Sequence, residues 1–187
     1  MSSHHIVREK QEPALYIHRL GNFEEELLGQ LLEWSPSLIV NSTEFEKVLS
    51  LGLKVDMVIN PDESHVFQEN TRLIKTQNND WTSVLEYLIA EQYPAVNLID
   101  ANGELKDLET FIPQINIVVF TETHKTYAIR TGFRVWKPAG SFFNIQTPAS
   151  FTYSNLASEN ENGFRVVNDG FVEFTFTSTY LLISEML

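Results

Sequence analysis

The pattern of apolar and polar positions divides the chain into two parts. In the first part, short apolar runs typical of buried parallel strands alternate with segments whose apolar residues recur at helical spacing. The predicted strands are ALYIH (14–18), SLIVN (37–41), VDMVI (55–59), TRLIK (71–75), AVNLI (95–99) and INIVVF (115–120). The predicted helices are FEEELLGQLLEW (23–34) with Asn22 as N-cap, TEFEKVLSLG (43–52) with Gly52 as its stop, and residues 80–92. This alternation predicts an α/β domain with a mainly parallel sheet covered by helices on both faces.

Beyond residue 120 the pattern changes to short segments rich in aromatic and β-branched residues. They are TYAIR, FRVW, SFFNI, FTYSN, GFRVV, FVEFTF and TYLLIS, and glycines separate several of them. Such a series predicts antiparallel strands in an all-β sandwich or small barrel. We place the boundary in TETHK (121–125), which predicts an α/β domain over residues 1–123 and an all-β domain over residues 124–187.

The composition narrows the classes of function. The 187 residues carry a net charge of −12 at pH 7, which disfavours binding to DNA or RNA. The chain contains no cysteine, which excludes disulfides, thiolate nucleophiles and zinc–thiolate sites. We find neither an apolar signal segment at the N-terminus nor a run of about 20 apolar residues. We therefore expect a cytoplasmic protein without a nucleic-acid or membrane partner.

Polar clusters follow four of the predicted strands, at residues 41–43, 60–64, 79–83 and 100–107. Open α/β sheets bind ligands beyond the C-terminal ends of their strands, where carboxylates could hold Mg²⁺ and helix N-termini could hold phosphates. The alternative is that these residues cap helices and form turns, as Asn, Asp, Ser and Thr commonly do. The common dinucleotide and P-loop motifs are absent. The five histidines are scattered, which favours surface or satisfied histidines over metal ligands.

Three stretches resemble the thiamine pyrophosphokinases in order and spacing, namely LGLKVDMVINPDES, IKTQNNDWTSVLEYLI and NLIDANGELKDL. The resemblance covers nearly the whole chain, including the change from an α/β part to a β-rich part. It implies a nucleotide-binding first domain, a thiamine-binding second domain, and a homodimer with thiamine between the subunits. The implied reaction uses Mg²⁺ and converts ATP and thiamine to thiamine diphosphate and AMP.

The motifs of this family fall on positions where this sequence has other residues at many of the motif positions. Asp-Gly-Gly falls on residues 41–43, Gly-Asp-Phe-Asp-Ser on 60–64, Lys-Asp-x-Thr-Asp on 79–83, and Gly-Gly-Arg-x-Asp-His on 103–108. The resemblance implies catalytic residues Asp62, Glu63, Asp80 and Asp107, of which the first three would also hold Mg²⁺. It implies nucleotide-binding residues Asn41, Ser42, Thr43, Ser64, Thr82 and Ser83, and thiamine-binding residues Ser154, Asn155 and Asn168.

The residue replacements at the motif positions remove charges that phosphoryl transfer needs. Three acids of the motifs are replaced, at Asn41, Pro61 and Ser83, and the lysine and arginine have no counterpart. Transfer from ATP depends mainly on electrostatic positioning, and loss of one stabilising group costs on the order of 10²-fold or more. We therefore expect a thiamine pyrophosphokinase-like protein with lost or much reduced catalysis, in which residual binding of thiamine or a nucleotide is possible.

Two alternatives stay open. In the first, the four implied carboxylates form a rearranged site that holds Mg²⁺ and ATP, and the protein is an active enzyme. In the second, the protein is not catalytic and binds a partner through the surface of its β-rich part. Arg72, Lys75 and Lys106 are the bases nearest the motifs that could replace the lost cations. Lysines directed into the crevice would favour the active enzyme, and lysines facing solvent would favour the other two hypotheses.

Overall fold

A computed structural model describes residues 12–62, 64–76, 81–145 and 150–187. Contacts between residues divide the chain into two units. The first comprises residues up to Gly103 together with Leu108–Glu122, and the second comprises Glu104–Asp107 together with Thr123–Leu187. The assignment of residues 1–123 and 124–187 to two functional domains stays a prediction. Among the described helices, none combines the length and the apolar character that a membrane span requires.

The first unit is built on parallel strands. In chain order they are β1 (Ala14–Arg19), β2 (Leu38–Asn41), β3 (Met57–Ile59), β4 (Arg72–Ile74), β5 (Ala95–Asp100) and β6 (Asn116–Phe120). They lie side by side in the order β6-β5-β1-β2-β3-β4, and each neighbouring pair is parallel. The α-helices are α1 (Glu25–Leu32), α2 (Phe45–Ser50) and α3 (Trp81–Ala90), and 3₁₀ segments cover Ser42–Glu44 and Leu105–Phe111. The predicted strands and the mainly parallel sheet are confirmed.

Apolar side chains are buried on both faces of these strands. Leu15 and Ile17 of β1 belong to a core that also contains Leu28 of α1 and Val48 of α2. Tyr16 lies between the two β1 residues and therefore points to the opposite face, where it is buried as well. Burial on both faces explains why the strands appear in the sequence as continuous apolar runs rather than as alternating patterns.

The start of α1 differs from the prediction. Asn22 does not cap this helix, which begins at Glu25 after Glu24, and the side chain of Glu24 makes no cap hydrogen bond. The backbone N–H of Asn22 instead donates to the Glu122 carboxylate at 2.8 Å. A tertiary contact therefore holds the chain before α1, where the local pattern predicted a cap. The second helix is also shorter than predicted because its first residues form the 3₁₀ segment Ser42–Glu44.

The second unit is built on antiparallel strands. They are β7 (His124–Ile129), β8 (Phe133–Lys137), β9 (Phe142–Ile145), β10 (Phe151–Ser154), β11 (Leu156–Ser158), β12 (Gly163–Val166), β13 (Gly170–Phe176) and β14 (Leu181–Met186). One layer has the order β11-β12-β9-β14-β7, and a second has the order β10-β13-β8. Phe143 and Ile183 of the first layer share a core with Val172 and Phe174 of the second. The predicted all-β character is confirmed, whereas the short strand β11 was not predicted.

Candidate functional site

Three neighbouring strands of the first unit end in polar residues. β1 lies between β5 and β2, so the ends of the three strands are adjacent. Arg19 at the end of β1 is opposite Asp100 at the end of β5, and Asn41 ends β2. This edge is where open α/β sheets bind ligands. The group of polar residues that meet there, which we call the strand-end cluster, consists of Tyr16, His18, Arg19, Asn41, Trp81 and Asp100.

Asp100 is the centre of the strand-end cluster, and its side chain is fully buried. Its Oδ1 accepts the backbone N–H of Asn102 at 3.1 Å and pairs with Arg19 Nε at 3.2 Å. Its Oδ2 accepts the indole N–H of Trp81 at 3.0 Å and lies 3.8 Å from His18 Nε2. Burial of a carboxylate is costly unless charges and hydrogen-bond donors compensate it. Both oxygens of Asp100 are therefore committed to donors within the protein.

Hydrogen bonds determine the orientation of His18. Asn41 Oδ1 accepts the backbone N–H of Thr43 at 3.2 Å, so the amide nitrogen of Asn41 is the atom that lies 3.4 Å from His18 Nδ1. Because this amide nitrogen can only donate, Nδ1 acts as an acceptor, and the proton of a neutral ring lies on Nε2. Tyr16 Oη lies 3.0 Å from the same Nδ1. The protonated side of the ring therefore faces Asp100, as expected for a satisfied histidine.

Carboxylates also bind the backbone of the loop that follows β1. The N–H of Leu20 donates to Glu44 at 3.3 Å, and the N–H of Asn22 donates to Glu122 at 2.8 Å. Lys47 donates to the carbonyl oxygen of Gly21, which has φ of +56°. Backbone N–H groups in such loops are donors that can bind anionic ligands. Here two of them are occupied by side chains of the same chain.

The residues on which the first family motif falls form a local cap. Asn41 is buried, and its Oδ1 accepts both the backbone N–H and the hydroxyl of Thr43. Ser42 and Thr43 lie in the 3₁₀ segment that Asn41 caps. For these three predicted nucleotide-binding residues, the structure supports the interpretation as a cap, and their contact with a nucleotide stays a prediction.

The predicted catalytic acids have no common partner among the described residues. Asp62 is exposed, and the backbone N–H of Ser64 donates to its Oδ1 at 2.8 Å, which is the main reason that its pKa is lowered. Asp107 is exposed in the 3₁₀ segment Leu105–Phe111. Glu63 and Asp80 lie outside the described residues. The catalytic role of all four therefore stays a prediction.

Two of the three acids that the resemblance assigns to Mg²⁺, Glu63 and Asp80, lie outside the described residues, and the described residues alone contain no metal site. Within residues 12–62, 64–76, 81–145 and 150–187, no three Asp, Glu or His side chains are grouped so that they could hold a metal ion. Mg²⁺ requires oxygen ligands in near-ideal octahedral geometry. Asp100 is engaged by protein donors, and the neighbouring Arg19 guanidinium would repel a cation.

Thr82 and Ser83, predicted to bind the nucleotide, are half-buried in the first turn of α3.

The three bases that could replace the lost cations differ in their surroundings. Arg72 donates to Tyr87 Oη at 2.7 Å, and its guanidinium lies 5.2 Å from the centre of the Tyr87 ring. Lys75 and Lys106 are exposed to solvent. The loss of catalysis stays a prediction.

Two of the three predicted thiamine-binding residues lie together in the second unit. Asn155 Nδ2 donates to the carbonyl oxygen of Asn168 at 2.7 Å, and the backbone N–H of Asn168 donates to Asn155 Oδ1 at 3.0 Å. The side-chain amide of Asn155 therefore connects two loops. Ser154 is exposed at the end of β10. Binding of thiamine by these residues stays a prediction.

The site predicted from the sequence did not include His18 or Arg19, and it included Asp100 and Trp81 only as members of polar clusters. The sequence contains a signal for these residues. Asp100 directly follows the buried run AVNLI, and His18 and Arg19 directly follow the buried run ALYI. A charge at the end of a buried strand requires a partner. The register that pairs these residues could not be obtained from the sequence, since it depends on which strands are neighbours.

Comparison with known proteins identifies the fold. Neither a family model nor a curated protein matches the chain in sequence. The thiamine pyrophosphokinase of Bacillus subtilis is similar in structure with a TM-score of 0.70 and 10% identity, covering 94% of this chain and 99% of that chain. The Geobacillus thermodenitrificans enzyme has a TM-score of 0.67 at 11% identity, with 94% and 98% covered. The Candida albicans enzyme has a TM-score of 0.64 at 8% identity, with 94% and 90% covered. The chain has the fold of the thiamine pyrophosphokinases.

Proposed function

We propose that the chain is a thiamine pyrophosphokinase-like protein whose catalysis is lost or much reduced and which retains binding of thiamine. The family reaction transfers a pyrophosphoryl group from ATP to the hydroxyl oxygen of thiamine and releases AMP and a proton. The observation that carries the proposal is the state of Asp100, whose two oxygens are bonded to Arg19, Trp81 and the backbone of Asn102. A carboxylate held in this way stabilises the fold and needs no ligand.

The charges at the strand ends disfavour ATP more than thiamine. Glu44 and Glu122 already accept backbone N–H groups of the loop after β1 that a triphosphate would use, and their negative charges would repel it. The net charge of −12 acts in the same direction. Thiamine carries a positively charged ring, so these carboxylates do not oppose its binding. We therefore propose thiamine, rather than ATP with Mg²⁺, as the retained ligand, with Ser154, Asn155 and Asn168 as candidate contacts.

A thermal-shift experiment tests the proposed ligand. We expect thiamine to raise the melting temperature and ATP with Mg²⁺ to leave it unchanged, because stabilisation follows RT ln(1 + [L]/Kd). The Bacillus subtilis enzyme serves as the positive control for both ligands. Stabilisation by ATP with Mg²⁺ together with formation of thiamine diphosphate would contradict the proposal and support the active enzyme. Absence of a shift with either ligand would contradict retained binding and support the partner-binding alternative.

We propose in addition that the chain forms a homodimer, as the resemblance implies. An exposed aromatic pair on the second unit supports self-association. Phe171 of β13 and Trp136 of β8 are direct partners in register and are 51% and 54% exposed. The Arg134 guanidinium lies 4.0 Å from the centre of the Phe171 ring. Aromatic residues and arginine are enriched at protein interfaces, where they supply most of the binding energy.

Sedimentation analysis tests the dimer. We expect Trp136→Ser to weaken self-association, because it removes a large aromatic contact from the centre of the exposed pair. Trp34→Ser is the matched control, since Trp34 is an exposed tryptophan of the first unit. A wild-type chain that sediments as a monomer at all concentrations would contradict the proposal, and so would an unchanged dimer in the Trp136→Ser variant.

A further inference from the structure

The outer face of the layer β10-β13-β8 carries two rows of side chains. Alternate residues of β13 and β8 pack in the core of the second unit, so the residues between them point outward. The register of the two strands places Trp136 opposite Phe171 and Arg134 opposite Glu173. The outer face therefore has an aromatic row, which is the exposed aromatic pair, and a charged row two residues along the strands.

The charged row is accessible to a partner. Both of its side chains are 55% exposed, and Arg134 Nε lies 3.8 Å from Glu173 Oε1. The Arg134 guanidinium also lies 4.0 Å from the centre of the Phe171 ring, so the two rows are in contact. Arginine carries five N–H donors, and a carboxylate accepts several hydrogen bonds. The ion pair within one chain therefore leaves both groups able to bind a second group of opposite charge.

The arrangement of the two rows is self-complementary. A two-fold axis parallel to the strands, above the face and between β8 and β13, would bring β8 of one copy over β13 of its partner. Because the residues of each row are direct partners in register, this rotation would place Trp136 over Phe171 of the partner subunit and Arg134 over Glu173 of the partner subunit. The same contacts would form in the opposite direction by symmetry. Each charge would then face a charge of opposite sign.

We propose that two copies of the chain associate through this outer face, with reciprocal ion pairs between Arg134 of one protomer and Glu173 of the other. The inference rests on the homodimer proposed above and adds the position of its axis. The aromatic row supplies the apolar contact, and the four alternating charges beside it select the alignment. An axis perpendicular to the strands at the charged row would place Arg134 over its own copy, so like charges oppose that alternative.

Charge reversal at either position tests the reciprocal pairing by sedimentation of the full chain. In Arg134→Glu the new carboxylate would face Glu173 of the partner subunit, and in Glu173→Arg the new guanidinium would face Arg134 of the partner subunit. We expect the dimer Kd of each variant to rise at least about tenfold, because like charges repel across the interface. Glu161→Arg is the matched control and should leave the Kd unchanged, since Glu161 is exposed in the loop between β11 and β12 of the other layer.

An equimolar mixture of Arg134→Glu and Glu173→Arg tests the geometry most sharply. In the heterodimer both facing pairs again have opposite charges, so we expect it to form at least about tenfold more tightly than either homodimer. Native mass spectrometry separates the three dimers, because the two variants differ in mass. The double variant Arg134→Glu/Glu173→Arg should regain self-association for the same reason. The melting temperature of each variant shows whether it is folded.

The outcomes separate this interface from the homodimer itself. A wild-type dimer that both single substitutions leave unchanged would overturn the interface and leave the homodimer standing. Folded variants whose mixture contains no excess of heterodimers would also overturn the reciprocal pairing. A wild-type chain that stays monomeric would overturn the homodimer and this interface together. Retained thiamine binding is measured separately, by the thermal-shift experiment.

Discussion

Replacement of Trp81 by phenylalanine removes the indole N–H that donates to Asp100 and leaves an aromatic ring at the start of α3. A hydrogen bond to a charged group contributes about 1.5–3 kcal/mol. The 3.0 Å distance and the complete burial of Asp100 place this bond toward the upper end of that range. Arg19 and the backbone of Asn102 remain as partners, so the cost should stay below the roughly 3–5 kcal/mol of a fully unpaired buried charge. We expect Trp81→Phe to lower the free energy of unfolding by about 2–3 kcal/mol.

Urea unfolding followed by far-ultraviolet circular dichroism measures this quantity without relying on tryptophan fluorescence. Trp34→Phe is the control, because Trp34 is 71% exposed and its replacement should change stability by less than about 0.5 kcal/mol. A double-mutant cycle with Asp100→Asn isolates the coupling between the two side chains. Equal effects of the two tryptophan replacements would refute the role assigned to Asp100. A coupling energy of zero would refute it as well.

Two further predictions concern stability. Gly21→Ala should destabilise the chain by more than about 1 kcal/mol, because Gly21 has φ of +56° and an added Cβ would lie 2.8 Å from Ala101 Cβ. Gly29→Ala is the matched variant, since Gly29 lies in α1 and no atom lies within 4 Å of its added Cβ. We expect Gly29→Ala to stabilise the chain by roughly 0.5–1 kcal/mol in the same urea titration. Lys137→Met should cost about 2–4 kcal/mol because it leaves the buried Glu185 without its cation. Arg134→Met removes an exposed ion pair and an exposed contact with the Phe171 ring, each worth less than about 1 kcal/mol, and should therefore cost less than Lys137→Met. Equal effects within either pair of variants would contradict the packing described for that pair.

The elements of the fold could be predicted because each has a local signal. The runs ALYI and AVNLI are apolar without alternation, which is the pattern of strands buried on both faces. Gly52, with φ of +75°, ends the second helix as its position predicts. The start of α1 had no such signal, because the backbone of Asn22 is bonded to Glu122 rather than to a local cap. Strand β11 was missed because it contains only Leu156–Ser158.

The candidate site was less predictable because its contacts join residues far apart in the sequence. Asp100 meets Arg19 through the pairing of β5 with β1, and it meets Trp81 through the position of α3. The motif positions lie at the same edge of the sheet as the strand-end cluster but mark different side chains, because the family motifs mark ligand contacts and not hydrogen bonds within the chain. Asn41 illustrates the difference, because it occupies a motif position and caps a 3₁₀ segment.

Loss of pyrophosphoryl transfer is tested most directly by the rate at which the full chain forms thiamine diphosphate from thiamine and ATP in the presence of Mg²⁺. The Bacillus subtilis enzyme, measured under the same conditions, sets the scale. We expect a rate per molecule lower by at least about 10³-fold, because several charges that stabilise one transition state are replaced and each alone is worth on the order of 10²-fold. A rate within about tenfold of the control would contradict the loss of catalysis.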